Sequence, residues 1–335
     1  MYTADEGRYE NREYNYLPDS GLALPRISLG LWQNFGDEAD FETIKEIVYT
    51  AFDHGVTHFD LANNYGPAPG AAERNFGRIL YDGLMPYRDE LIISTKAGYE
   101  MWDGPYGGRG GSRKYLTASL DQSLDRLGLD YVDLFYHHCM TPETPLHETA
   151  LCLSDLVRQG KTLYVGMSNY DGKTMHRMHH RCEDYQVPFV VNQNRYSILD
   201  RTIEENGLKN QSAKKQKGIV AFSPLAQGRL SDKFRNGIPE DSRLYGREEY
   251  CQRIGLDAQQ LAQIAALGEL AEARGETLSQ LAIQWLLQNG VTSVLIGVRT
   301  KAQLLENLAA LEQPPITAEE LAQIDRIVLS TGANG

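Results

Sequence analysis

Eight short apolar runs alternate with stretches of helical periodicity between residues 27 and 297, and this alternation limits the chain to very few folds. The runs are 27–31, 57–61, 91–95, 131–136, 163–167, 189–191, 219–222 and 294–297. Helical spacing of apolar residues covers 41–52, 71–82, 112–128, 146–159, 171–183 and a region near 201–216. Short connections throughout are the signature of a parallel sheet closed on itself, so the expected fold is an α/β (β/α)8 TIM barrel. Such a barrel needs roughly 250 residues. The surplus goes to an N-terminal β-hairpin around the turn Pro18-Asp19-Ser20-Gly21, a Gly-rich loop at 97–111, a long stretch at 225–256 and extra C-terminal helices at 301–311 and 317–329. An open, doubly wound sheet is the competing architecture, but no GxGxxG follows the first strand. Without a linker or a long repeat, 1–335 is expected to be a single domain, with residues 1–12 polar and mobile.

Composition removes several classes of function. No segment carries eighteen consecutive apolar residues, so no membrane partner is expected. The acidic N-terminus lacks the basic and apolar parts of a signal peptide, which implies a cytoplasmic protein. A formal net charge of −12 leaves no broad nucleic-acid face, although a small anion needs only a local patch. The four cysteines, Cys139, Cys152, Cys182 and Cys251, show no CxxC spacing and read as reduced thiols.

Catalytic groups in this fold collect at the carboxyl ends of the strands. The stretch Phe59-Asp60-Leu61-Ala62-Asn63-Asn64-Tyr65 ends one run in an acid and a tyrosine, the next run ends in Lys96, and the one after that in His138. Ser168, Asn169, Gln193 and Ser223 fall at equivalent places. A phenol titrates near 10 and is a poor acid alone. A lysine ammonium beside it favours the phenolate, an aspartate holds the lysine, and a histidine adds a hydrogen bond to the same reacting oxygen. Such a set donates a proton to a carbonyl oxygen while hydride arrives at the carbon. The competing reading makes Asp60 and Lys96 a structural ion pair and Tyr65 a loop tyrosine. No metal is expected: His137 and His138 are adjacent on a strand and point to opposite faces, and His176, His179 and His180 read as a solvated helix face.

The sequence resembles the aldo-keto reductases over nearly its whole length. The resemblance is carried by Leu29-Gly30-Leu31-Trp32, Phe59-Asp60-Leu61-Ala62 with Tyr65-Gly66, Ser94-Thr95-Lys96, and Tyr131-Val132-Asp133-Leu134 leading to His138. Gly166-Met167-Ser168-Asn169, Asn192-Gln193, Ser223-Pro224-Leu225 and Gln303-Leu304-Leu305-Glu306-Asn307 complete it. The resemblance implies a catalytic tetrad of Asp60, Tyr65, Lys96 and His138 and an extended NADPH or NADP+. Ser168, Asn169 and Gln193 then hold the carboxamide and Phe222 stacks on the nicotinamide, with Trp32 and Asp60 also at the cofactor. Ser223, Leu225 and Gln227 then line the pyrophosphate channel, Arg299, Gln303, Glu306 and Asn307 surround the adenosine end, and Lys233 also belongs to the cofactor site. Phe222 stands where the family more usually has Tyr or Trp, which keeps the stacking face and loses the polar tip. Arg243 and Arg299 are the candidates for a 2′-phosphate.

Within the family, Asn64-Tyr65-Gly66-Pro67, Glu73, Asn75-Phe76-Gly77 and the loop from Gly98 to Tyr115 resemble bacterial L-glyceraldehyde 3-phosphate reductases. That branch lies near the β-subunits of voltage-gated potassium channels, so a redox-sensing regulatory protein with little turnover stands as the alternative. As an enzyme, the chain is expected to reduce small aldehydes, a triose phosphate or methylglyoxal-like compounds. Trp32, Tyr65 and Trp102 would wall the substrate pocket, with Arg109, Arg113 and Lys114 as phosphate partners or solvated helix-start bases. Assembly as a homo-oligomer is left open.

Overall fold

The computed structural model describes residues 2–240, 245–247, 249, 251 and 255–329. Two short strands, β1 (Tyr14–Tyr16) and β2 (Ala23–Pro25), form an antiparallel hairpin. The eight apolar runs become β3 (Ile27–Gly30), β4 (His58–Asp60), β5 (Ile92–Ala97), β6 (Val132–His137), β7 (Thr162–Ser168), β8 (Phe189–Arg195), β9 (Gly218–Phe222) and β10 (Ser293–Ile296). Each pairs in parallel with its neighbour, and β10 pairs with both β9 and β3, which closes the barrel. This is the expected (β/α)8 barrel with its N-terminal hairpin.

The described residues of Met1–Arg195, Thr202–Phe222 and Val291–Leu304 form one compact unit, and those of Tyr196–Arg201, Ser223–Gly290 and Leu305–Gly335 form another. In the first unit the hairpin seals the amino end of the barrel. Leu17 and Leu24 are fully buried in a cluster with Leu134, Tyr136, Val191, Val220 and Leu295. Asn15 donates to the Thr292 carbonyl just before β10, and Leu17 lies over Gly218 at the start of β9, where a Cβ would meet it at 2.3 Å. The N-terminal segment docks on this unit. Tyr2 stacks on Tyr49 with ring centres 3.9 Å apart, its hydroxyl donates to Asp53, and Arg8 pairs with Glu90 at 2.6 Å.

Helix Arg113–Leu127 shows why the helix boundaries were readable. Ser112 accepts from the Tyr115 N–H at its start, and Gly128 ends it in the left-handed region at φ 67°. The helix expected over 71–82 runs as α-helix only to Ile79 and widens into a π-turn over Leu80–Leu84. In the second unit, Trp285 packs against Tyr196 and Arg201, and Arg274 joins Glu276 and Glu320. Among the described residues no helix is long and apolar enough to cross a membrane.

One buried ion pair fixes the loop that carries Tyr65. Glu73, fully buried on helix Ala71–Ile79, accepts from Arg126 Nε at 2.7 Å and from the Thr95 hydroxyl, next to Lys96 in β5. Removing the carboxylate leaves an arginine 16% exposed without its counter-ion, held by the Ser123 hydroxyl at 3.2 Å, and a buried Thr95 hydroxyl without its acceptor. Glu73→Ala is therefore expected to lower stability in urea unfolding by about 3 kcal/mol. A loss below about 1 kcal/mol would mean that the pair contributes no more than a surface salt bridge.

Candidate active site

The period of two along a strand and the parallel register together decide which polar residues meet. Asp60, the last residue of β4, lies opposite Ser94 on β5, and Lys96, two residues on, lies opposite Tyr136 on β6. Asp60 and Lys96 have no solvent exposure. The Lys96 ammonium has three donors. One goes to Asp60 Oδ2, one to the Leu61 carbonyl at 2.7 Å and one to the Tyr65 hydroxyl oxygen at 3.3 Å. An ammonium has no lone pair, so the Tyr65 oxygen accepts from it and the phenolic hydrogen stays free to point elsewhere.

His138 follows the end of β6, and its backbone N–H donates to the Ala97 carbonyl at 2.9 Å. Its ring stands 6.0 Å from the Tyr65 ring at 75° and 4.6 Å from the Tyr99 ring at 88°. Gly98 permits this approach, since a Cβ there would sit 2.4 Å from the Cys139 nitrogen and 3.1 Å from the His138 Cβ. Burial, helped by the Lys96 charge, holds the His138 ring well below the ordinary histidine range, so it is neutral. His137 points the other way and meets the Tyr170 hydroxyl at 2.7 Å. Among the described residues no three His, Cys, Asp or Glu side chains are grouped to hold a metal ion.

The Tyr65 phenol differs from expectation. The ammonium beside it was expected to lower its pKa, yet burial pushes the phenol well above its ordinary value, and the Asp60 charge and Tyr99 push the same way. Lys96 is itself fully buried, and that burial lowers its hold on its own proton against the pull of Asp60. Tyr65 is therefore protonated throughout the physiological range.

Around this group the structure gathers Ser168, Asn169 and Gln193 of the first unit's expected cofactor residues. Gln193 Nε2 donates to Asp60 Oδ1 at 3.0 Å, and Gln193 lies opposite Ser168 across β8 and β7. Asn169, with φ 60°, donates to the His138 carbonyl at 3.1 Å and to Ser168 Oγ at 3.2 Å. Phe222 ends β9, opposite Arg195, whose guanidinium carbon lies 5.9 Å from its ring centre. Arg299 is exposed, its backbone N–H donates to Gln303 Oε1 at 2.9 Å, and its guanidinium has no carboxylate partner among the described residues. A Cβ at Gly297 would find only the Gly30 carbonyl, at 4.0 Å, so the backbone is open to close approach. A hydroxyl, two carboxamides, an aromatic face, an open glycine and an unpaired guanidinium are groups of the kind that would hold a nicotinamide dinucleotide.

The other expected residues are placed as follows. Trp32 is 48% exposed, and Trp102 packs on Tyr115 with ring centres 5.3 Å apart. In the second unit, Ser223 and Gln227 have φ of 54° and 61°, the Leu225 carbonyl accepts from Gly228, and Lys233 lies in the turn Asp232–Phe234. The Glu306 carbonyl accepts from Gln280 Nε2 at 2.9 Å and Asn307 is buried. Arg243 lies outside the described residues.

The three bases near the glycine loop separate. Arg113 pairs with Asp155 at 2.5 Å, and Lys114 lies 5.2 Å from the centre of the Tyr106 ring. Arg109 alone reaches the site's edge, with Nη2 3.5 Å from Cys139 Sγ and its guanidinium 5.5 Å from the centre of the Tyr99 ring. Sequence reasoning passed over Tyr99 and Arg195 as site residues. Arg195 was findable, because it stands two residues beyond Gln193 on one strand and so shares its face. Tyr99 lies in a loop without periodicity.

A family model described as the Aldo/keto reductase family matches residues 26–329. Two curated relatives, both named L-glyceraldehyde 3-phosphate reductase, come from Escherichia coli O157:H7 and from Escherichia coli strain K12. They are 49% and 48% identical to this chain over 330 residues, which cover 97% of it and 95% of each relative.

The depressed pKa of His138 has a direct test. A ring whose folded value lies below the ordinary 6.5 stays neutral until the pH falls below that lower value. In a proton-detected titration from pH 8 to 5.5, the His138 ring signals are therefore expected not to move. A one-proton transition centred near 6.5 would show that burial does not control the ring.

Proposed function

The chain belongs to the aldo/keto reductase family, and on that premise we propose that it reduces small aldehydes with NADPH, Tyr65 giving the proton. The observation that carries this reading is the saturation of Lys96. With all three of its donors placed, the ammonium fixes the Tyr65 oxygen while leaving the phenolic hydrogen available to a carbonyl oxygen. Neutral His138 stands on the same side and donates a second hydrogen bond to that oxygen. The dinucleotide supplies the hydride when bound. As the carbonyl oxygen gains charge it becomes far more basic than a phenolate, so even a phenol with a raised pKa transfers its proton downhill. Lys96 then faces the phenolate and stabilises it. Ser168, Asn169 and Gln193 orient the carboxamide, and Gln193 does so from a side chain already anchored on Asp60.

The phosphate preference rests on Arg299. Its exposed, unpaired guanidinium suits a 2′-phosphate, which it can meet with paired N–H donors.

The substrate reading rests on the names of the relatives together with two arginines. Arg109 and Arg195 both act on Tyr99, the tyrosine packed against His138, so two cations act on a neighbour of the proposed catalytic histidine in an acidic chain. A triose phosphate, L-glyceraldehyde 3-phosphate, carries an anionic phosphate that such cations would attract. Methylglyoxal and similar compounds would enter the same small site without using the arginines.

Three measurements test the proposal. Tyr65→Phe is expected to lower kcat for aldehyde reduction by about 10²–10⁴-fold while leaving the Kd for NADPH within about twofold. Activity within threefold of the parent would remove Tyr65 from the role, and tight NADPH binding without turnover of any aldehyde by the parent would favour the regulatory reading. Arg299→Ala should weaken NADPH binding by about tenfold and NADH hardly at all, and an equal loss for both would show that Arg299 does not read the phosphate. In the parent, kcat/KM for glyceraldehyde 3-phosphate should exceed that for glyceraldehyde by at least about tenfold, and Arg109→Ala should erase most of the difference. Arg113→Ala should leave it intact, because Arg113 is held by Asp155.

A further inference from the structure

Beneath the catalytic group, the barrel interior holds a polar layer that the reaction described above does not use. His58, the first residue of β4, has no solvent exposure. Its Nδ1 lies 2.8 Å from Ser28 Oγ and its Nε2 lies 2.9 Å from Ser94 Oγ. Ser28 Oγ is 2.6 Å from Ser293 Oγ, and Ser94 Oγ is 2.7 Å from Asp60 Oδ1. All five partners are fully buried. The series runs without a gap from β10 through β3 and β4 to β5, and ends on the carboxylate that holds Lys96.

The direction of every bond in this series follows from its last member. Asp60 Oδ1 accepts from the Gln193 amide and, at 2.7 Å, from Ser94, since two lone pairs facing each other at that distance would repel. The single hydroxyl hydrogen of Ser94 is thereby used, so Ser94 Oγ must accept from His58 Nε2–H. A neutral imidazole with a proton on Nε2 has a bare Nδ1, which must accept from the Ser28 hydroxyl. Ser28 then accepts from Ser293. The ring's neutrality agrees with its burial, which lowers its pKa to about 4.

We propose that His58 is a positioning residue, locked as the Nε2–H tautomer, in a one-way chain of hydrogen bonds that runs from Ser293 to Asp60 and sets the charge that Lys96 and Tyr65 feel. Aligned donors polarise one another, so the chain draws negative charge along its length away from Asp60 Oδ2. Asp60 raises the pKa of Tyr65, and a chain that spreads the Asp60 charge weakens that push. The titratable groups facing Tyr65 are Asp60, Lys96, His138, Tyr99 and Tyr136, and those acting on His58 are Asp60 and Lys96. The consequence for catalysis rests on the reductase reading above; the tautomer does not.

The test has one arm independent of turnover. In the full-length protein with 15N-labelled histidine, the His58 ring, assigned by the signal lost in His58→Gln, should carry its proton on Nε2 from pH 8 to 5.5. Ser293→Ala should leave that tautomer unchanged, because the direction is set at the Asp60 end, whereas Ser94→Ala should populate both tautomers. A proton on Nδ1 in the parent, or the reverse response of the two variants, overturns the proposal. In the second arm, Ser94→Ala should lower kcat by about tenfold, leave the Kd for NADPH within about twofold, and move the alkaline limb of kcat upward by about half a pH unit. A locked tautomer with an unmoved alkaline limb would remove the catalytic consequence. A parent that turns over no aldehyde would defeat the reductase reading and leave the tautomer result standing.

Discussion

Everything at the carboxyl end of this barrel depends on keeping one lysine ammonium out of water. An ammonium removed to the interior loses several kcal/mol of hydration, and only close, complete pairing offsets that loss. Lys96 has such pairing, with a carboxylate, a backbone carbonyl and a phenol oxygen on its three hydrogens. The pairing in turn dictates the neighbourhood. Asp60 must stand at the end of β4, Tyr65 must return over β5, and the helix after Tyr65 must be tied down, which Glu73 achieves through Thr95 and Arg126.

Burial and the ammonium act on Tyr65 in opposite senses, and burial is the larger. The outcome suits a proton donor more than the reverse would. A phenol driven toward phenolate before substrate arrives would have no hydrogen to give. One kept protonated by desolvation would, in the proposed reaction, release it when a far more basic oxygen develops beside it. In the proposed reaction the value of Lys96 would be realised after the transfer, when a phenolate would stand against a fixed positive charge.

What could be read from the amino-acid order was what periodicity governs. Asp60, Lys96, Ser168, Gln193 and Phe222 each sit at or near the carboxyl end of an apolar run, and a closed barrel leaves such residues one common face. The loop at 97–111 obeys no period. Arg109 and Arg113 are four residues apart in one basic, glycine-rich segment, and only tertiary contacts sent one toward Cys139 and the other to Asp155. The sign of the Tyr65 shift was equally hidden, because the sequence names the charges near a phenol and says nothing of how thoroughly water is excluded.

The hairpin and the polar layer explain each other. Leu17 and Leu24 close the amino end of the barrel, so a hydroxyl or imidazole above them cannot turn to solvent for a partner. Ser28, His58, Ser94 and Ser293 each find one inside, and an unmet hydrogen bond there costs far more than a met one gains. With Ser28, His58, Ser94 and Ser293 confined together and one end of their chain fixed on a carboxylate oxygen, the remaining hydrogens have a single arrangement that satisfies all of them. The apolar plug thus removes the freedom that would let these dipoles reorient. A barrel open to water at that end would hold the same residues without holding their direction.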